Sequence, residues 1–158
     1  MGSELMSTAR PTTLRVWSFL GLTTGGTLLA IGALMPWAAI RPFLDAQVRG
    51  VDVIEGTLAL IAGVCVLLAM LAMRVVGTLR GRVWLASVVL VLSVGAVIAA
   101  LSYVAGADDR DLRAGVWVVV VGGIVAAGGA IASIAWARAS ATATPDPGTS
   151  NGSPPRQP

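Results

Sequence analysis

The chain has 158 residues, of which 56% are hydrophobic and 12% are charged. A soluble domain of this length needs far less apolar surface for one small core, so the excess must face lipid. The formal net charge is +3, but the basic residues, all arginine, are spread between apolar segments, whereas nucleic-acid surfaces need clustered charge. The chain has no histidine and one cysteine, which excludes histidine-based zinc sites, Ser-His and Cys-His nucleophile pairs, and a disulfide within the chain.

Four long apolar segments dominate the chain. A hydrocarbon core about 30 Å thick requires roughly 20 apolar residues in a helix, and each segment meets or approaches that length with no ionisable residue inside it. The sequence therefore predicts an all-α fold, a four-helix transmembrane bundle that forms one domain over residues 16–138. The predicted helices lie near residues 17–38, 54–73, 84–105 and 115–137.

The first predicted helix follows Arg10 and Arg15, and basic residues in this position also begin secretory signal peptides. Its apolar stretch is well beyond the about 7–15 residues that are usual there, so we interpret it as an uncleaved anchor. Pro36 falls in the last turn of this predicted helix. Residues 1–15 and 139–158 are expected to be disordered, since the tail is rich in Ala, Thr, Pro, Gly and Ser.

Aromatic residues with a polar edge lie near the ends of the predicted helices. Tryptophan and tyrosine are enriched where the headgroups of a bilayer meet water, because their rings are amphipathic. We therefore predict that six aromatic residues lie at the membrane interfaces: Trp17, Trp37, Trp84, Tyr103, Trp117 and Trp136.

The connection between the first two predicted helices, residues 41–55, is compatible with two structures. Its apolar residues follow a near-helical spacing, but Val51, Asp52 and Val53 alternate as a strand would. A short helix on the membrane surface and an extended loop both remain open. Asp52 and Glu55 are a candidate carboxylate pair, although no histidine or lysine lies beside them, and a solvated pair is the simpler interpretation.

Arginines predict the orientation of the bundle, because positively charged residues beside the spans are retained in the cytoplasm. One side of the predicted bundle carries seven arginines and two carboxylates, and the other carries four arginines and six carboxylates. We therefore expect a multi-pass protein of a bacterial plasma membrane with both termini cytoplasmic. The arginines that support this orientation are Arg10, Arg15, Arg74, Arg80, Arg82 and Arg138.

Small residues recur at helical spacing in the first and fourth predicted helices. Such stripes allow two helix backbones to approach closely in a membrane. They consist of Gly21, Gly25 and Gly32 in the first helix, and of Gly115, Gly122, Ala126, Gly129 and Ser133 in the fourth. Packing of these two helices within one chain is the favoured interpretation, with contact between copies of the chain and chance spacing as alternatives.

The membrane segments contain none of the ionisable groups on which transport chemistry usually depends. We therefore expect a non-catalytic structural or accessory subunit, without a cofactor, that binds another membrane protein or itself. The expected contact surfaces are the small-residue helix faces and the connection of residues 41–55, which the predicted orientation places outside the cell. The alternative is a small channel or transporter, possible as an oligomer, whose path is lined by hydroxyls from Thr23, Thr24, Thr27, Ser87, Ser93, Ser102 and Ser133.

Four short features resemble those of a known group of four-span proteins. The first predicted helix ends near Pro36-Trp37, and the last opens with Gly115-Val116-Trp117. The connection after the first helix contains Arg49-Gly50-Val51, and the connection between the second and third helices carries arginines from Arg74 to Arg82. The chain in this respect resembles small four-span membrane proteins of actinobacteria, including the tryptophan-biosynthesis-associated membrane protein family. The resemblance implies a membrane location and protein partners more than it implies catalysis.

Overall fold

The computed structural model describes residues 11–40, 46–106 and 111–142, and within these ranges the chain forms four α-helices. All four are long and apolar enough to span a membrane, which confirms the predicted all-α, four-helix transmembrane bundle. The helices are α1 (Pro11–Leu34), α2 (Ile54–Val75), α3 (Leu79–Ala105) and α4 (Ala114–Thr142). The shorter elements are β1 (Pro36–Ile40), β2 (Ala46–Arg49), a 3-10 helix (Gly50–Asp52) and β3 (Asp111–Leu112).

Each helix of the bundle packs against two neighbours. α1 lies between α2 and α4, and α3 also lies between α2 and α4, whereas α2 and α4 touch each other little. The chain runs up and down, so the start of α1, the α2–α3 connection and the end of α4 share one end of the bundle, which we call the arginine end. The three strands lie at the opposite end, which we call the capped end.

Aliphatic side chains fill the interior between the helices. The outward helix faces are also apolar: Leu20, Ile61, Val91 and Ile124 are each about half exposed or more. A bundle that is apolar both inside and outside suits a lipid environment, where helix backbones satisfy their own hydrogen bonds. The largest fully buried aliphatic side chains are Leu22, Leu29, Val66, Val89, Val116 and Val119.

The first helix ends earlier than predicted. α1 stops at Leu34 rather than near residue 38, and Pro36 begins β1 instead of lying in the last helical turn. The physical reason is that proline has no N–H for the helical ladder and disfavours helical backbone in the residue before it. The backbone N–H of Met35 still bonds to the carbonyl oxygens of Ile31 and Gly32, so the helix closes one residue before the proline.

The first and last helices both extend further toward the chain termini than predicted. α1 begins at Pro11, inside the segment that was expected to be disordered, and α4 continues to Thr142, past residue 139. Proline suits the first turn of a helix, where its missing N–H would have no intrahelical partner, and alanine near the end of α4 favours helix. The remainder of the two predicted disordered segments, residues 1–10 and 143–158, lies outside the described residues.

The connection between α1 and α2 adopts extended structure followed by a single 3-10 turn. β1 pairs with β2 and with β3, both antiparallel, in the order β2-β1-β3. Of the two structures that the sequence left open, the extended one describes residues 46–49, and residues 41–45 lie outside the described residues. The strands and the 3-10 turn together close the capped end, and we call them the cap.

Candidate functional site

Trp37 lies at the centre of the cap and is fully buried. Its indole N–H donates a hydrogen bond of 2.9 Å to the carbonyl oxygen of Gly32, one turn back in α1. Its ring meets the ring of Tyr103 edge to face, with centroids 5.1 Å apart. Tyr103 is itself 7% exposed.

This burial corrects the sequence-based placement of two aromatic residues. Trp37 and Tyr103 were both predicted to lie among the lipid headgroups, but the structure places them inside the capped end of the bundle. The cause is the early end of α1: the chain turns at Pro36 and crosses over the bundle, which carries the next side chain inward. A buried carbonyl oxygen then satisfies the indole N–H that water would otherwise bind.

Two glycines make room for the indole. A Cβ atom added to Gly50 would lie 2.8 Å from Cε2 of Trp37, and one added to Gly115 would lie 2.8 Å from Cδ1 of the same ring. Backbone hydrogen bonds hold these segments in place: the Gly50 N–H donates to Met35 O at 3.2 Å, and the Arg113 N–H donates to Trp37 O at 2.8 Å.

Three of the four features named in the resemblance therefore meet at one point, whereas the Arg74–Arg82 connection lies at the other end of the bundle. Gly50 and Gly115 lie more than 60 positions apart in the sequence, and both pack on the ring of Trp37. Spacing alone does not reveal this convergence, because each motif belongs to a different element. The sequence contained one indication of it: a bulky ring, Trp37, and glycines in two other segments at the same predicted end of the bundle.

The remaining tryptophans lie on the surface of the bundle. Trp17 and Trp84 are exposed at the arginine end, and Trp117 is exposed at the capped end. Trp136 is partly buried at the arginine end, where the guanidinium of Arg82 lies 5.5 Å from its ring centroid. These four rings occupy the two ends of the bundle, so their placement at the membrane interfaces stays a prediction.

The small-residue stripes of α1 and α4 face each other within the chain. A Cβ atom added to Gly21 would lie 2.9 Å from the Cα of Gly129, and one added to Gly25 would lie 2.6 Å from the Cα of Ala126. Real Cβ atoms essentially never approach this closely, so the two backbones are in direct contact. We call this contact the glycine seam.

The glycine seam runs along much of both helices. Toward the capped end, a Cβ atom on Gly32 would lie 2.8 Å from the backbone nitrogen of Val119. In the middle, a Cβ atom on Gly122 would lie 2.8 Å from the backbone nitrogen of Leu29. Toward the arginine end, the hydroxyls of Ser18 and Ser133 are hydrogen-bonded. The stripes are thus occupied inside one chain and are not free for a partner.

Most of the described arginines lie at the arginine end of the bundle, whereas Arg49 and Arg113 lie at the capped end. Arg74 stacks on Phe19, with 4.6 Å between the guanidinium carbon and the ring centroid, and the Nε of Arg82 donates to the carbonyl oxygen of Val76 at 3.0 Å. Arg15, Arg80 and Arg138 are exposed at the arginine end, and Arg10 lies outside the described residues. Asp52 and Glu55 belong to the capped end, where Asp111 also lies, in β3.

The hydroxyls proposed to line a path are not brought together. Thr24, Thr27, Ser87 and Ser102 are exposed on outward faces, while Ser93 is buried in the core, where its hydroxyl has no hydrogen-bond partner among the described residues. The Thr23 hydroxyl has two acceptors within hydrogen-bond distance, the carbonyl oxygen of Phe19 and the sulfur of Met70. Ser133 lies in the glycine seam.

Neither a metal cluster nor a known relative assigns a chemistry to the chain. Among the described residues, no group of three or more histidine, cysteine or carboxylate side chains could hold a metal ion. Comparison with family models, curated proteins and solved structures finds no match. The properties of the cap, the glycine seam and the two ends are therefore the basis for inferring function.

Proposed function

We propose that this integral membrane protein is a non-catalytic accessory subunit that binds another membrane protein, or a second copy of itself, through its cap and its outward helix faces. The observation that carries the proposal is the cap. Trp37 anchors a small sheet rigidly to the bundle, and β2 is an edge strand of that sheet. Edge strands present backbone N–H and carbonyl groups to which an extended segment of a partner can pair.

The outward faces of α3 and α4 offer a second contact surface. Gly95 and Gly128 are exposed, and a Cβ atom added to either would have no atom within 4 Å. Small residues on a lipid-facing surface allow a helix of another protein to approach closely. From the sequence, the small-residue stripes of α1 and α4 were expected to bind a partner, but these stripes contact each other in the glycine seam. We therefore propose Gly95 and Gly128 as the partner-binding glycines.

No catalytic step belongs to the proposal. The chain has no histidine, and the described hydroxyls form no constellation with a base. Aliphatic side chains occupy the interior between the helices. Binding of a partner at the surface is therefore the activity that the geometry supports best.

Site-specific photo-crosslinking in native membranes tests the proposal. A photoreactive residue would replace Arg49 in β2, Gly128 in α4, or Gly77 in the α2–α3 connection, each at an exposed position. We expect crosslinked protein partners at the first two positions and none at Gly77, which serves as the control. Recovery of a strictly monomeric species from all three variants would contradict the proposal.

A further inference from the structure

An open groove of about 410 Å³ lies at the arginine end, between the first turns of α3 and the last turns of α4. It is part neither of the cap nor of the glycine seam. Its wall includes Arg80, Val83, Trp84, Ser87, Arg138 and Ala141.

The mouth of the groove is positively charged. Arg80 and Arg138 both contribute to the wall and both are exposed. None of the described residues that line the groove is acidic, and the described acidic residues belong to the capped end. Arginine presents several N–H donors in a planar fork that matches a phosphate group. The charge of the groove is thus complementary to a phosphate anion.

The deeper part of the groove is apolar. Val83 and the exposed Ser87 follow Arg80 along α3 toward the middle of the helix, and the hydroxyl of Ser87 donates to the backbone carbonyl of Val83. Trp84 is 67% exposed beside them, at the depth where tryptophan meets lipid headgroups. A free phosphate ion would leave this apolar wall uncovered, whereas an acyl chain would cover it.

We infer that the groove binds one anionic phospholipid, with its phosphate between Arg80 and Arg138 and an acyl chain along Val83 and Ser87. Basic pockets between transmembrane helices are suited to anionic headgroups, since each arginine near the membrane surface contributes to the attraction. Its two arginines favour a negatively charged headgroup, and its apolar wall favours an extended acyl chain.

Native mass spectrometry of the full-length protein in mild detergent tests this inference. The probes are phosphatidylglycerol and phosphatidylcholine with identical acyl chains. We expect one phosphatidylglycerol molecule to be retained at least about tenfold more tightly than phosphatidylcholine, and this preference to fall about tenfold or more in the double variant Arg80→Gln/Arg138→Gln. The matched control, Arg49→Gln/Arg113→Gln, removes the same charge at the capped end and should leave the preference unchanged.

A second pair of variants tests the apolar wall without changing charge. Ser87 and Ser102 are both exposed on α3, and each hydroxyl bonds to the carbonyl four residues earlier. Ser87→Phe fills the groove and should weaken retention of phosphatidylglycerol severalfold, while Ser102→Phe at the other end should not. This pair remains informative if the double arginine variant fails to fold.

Three results would overturn the inference. The first is equal retention of the two lipids by the unmodified protein. The second is an equal loss in the two double arginine variants, which would show an effect of net charge alone. The third is displacement of phosphatidylglycerol by millimolar inorganic phosphate together with no effect of Ser87→Phe, which would identify a free anion as the occupant.

Discussion

Glycine residues in this bundle differ in what an added side chain would meet. A Cβ atom on Gly25 would lie 2.6 Å from the Cα of Ala126, and the atoms in its way are mainly backbone. A Cβ atom on Gly128, in the same α4 helix, would have no atom within 4 Å. Backbone cannot rotate aside as a flexible side chain can, so a substitution in the glycine seam must push α1 and α4 apart. The lost van der Waals contact is the principal attraction between helices in lipid.

Substitution within the glycine seam should therefore destabilise the bundle. We expect Gly25→Leu and Gly122→Leu each to lower the free energy of unfolding by about 1–3 kcal/mol or more, the usual cost of overpacking. Thermal unfolding in mild detergent measures the effect. Gly128→Leu is the matched control and should stay within about 0.5 kcal/mol of the unmodified protein. Equal stability of all three variants would show that the seam does not hold the helices together.

The cap is formed by several short elements that are joined by backbone hydrogen bonds. α1 ends because of Pro36, β1 then crosses the bundle, and the 3-10 helix follows β2 directly. The Gly50 N–H donates to Met35 O, and the Val53 N–H donates to Gly50 O, so the 3-10 turn links the end of α1 to the start of α2. The burial of Trp37 beneath this turn couples the outer connection to the helices.

A side chain at Gly50 should open the cap. Its Cβ atom would collide with the carbonyl oxygen of Ala33 and with the indole of Trp37, so we expect Gly50→Val to displace the ring or the 3-10 turn. Amide hydrogen exchange over residues 46–53 should become at least about tenfold faster, while exchange in the middle of the helices changes little. Gly77→Val, in the other described connection, has open space around its Cβ and should leave exchange in the cap unchanged. Unaltered protection in Gly50→Val would contradict the packing of the cap.

The described part of the molecule is electrically asymmetric along its axis. Five arginines lie at the arginine end and two, Arg49 and Arg113, lie at the capped end, which also holds the described acidic residues. The five are Arg15, Arg74, Arg80, Arg82 and Arg138. The antiparallel glycine seam also brings the start of α1 and the end of α4 to the same end. Arginines beside spans are retained in the cytoplasm during insertion, so the arginine end is predicted to be cytoplasmic.

Cysteine accessibility tests this orientation. In a Cys65→Ser background, we expect a membrane-impermeant maleimide added to intact cells to label Arg113→Cys at the capped end and not Gly77→Cys at the arginine end. Both positions are exposed, so permeabilised cells should show labelling of both variants. The reverse pattern in intact cells would place the termini outside and overturn the predicted topology.

The number of spans and their approximate positions could be predicted from the amino-acid sequence alone. This follows from lipid, which requires each spanning backbone to satisfy its hydrogen bonds internally and each span to be apolar over its length. Both requirements are local, so they can be recognised in α2 and α3 without knowledge of their neighbours. The proline that ends α1 was also visible, but its position near the end of an apolar run did not show that the chain turns there.

Which helix surfaces contact each other could not be established from the sequence and became clear from the folded structure. The spacing of Gly25 and Ala126 indicated close packing, yet the same stripes would have suited a contact between two copies of the chain. The burial of Trp37 could not be predicted either, since an indole N–H can donate its hydrogen bond equally well to a lipid headgroup or to a buried carbonyl oxygen. The choice depends on Gly50 and Gly115, which are remote in sequence and become neighbours of the ring through folding. Contacts between distant segments decide such burial, and local sequence does not specify them.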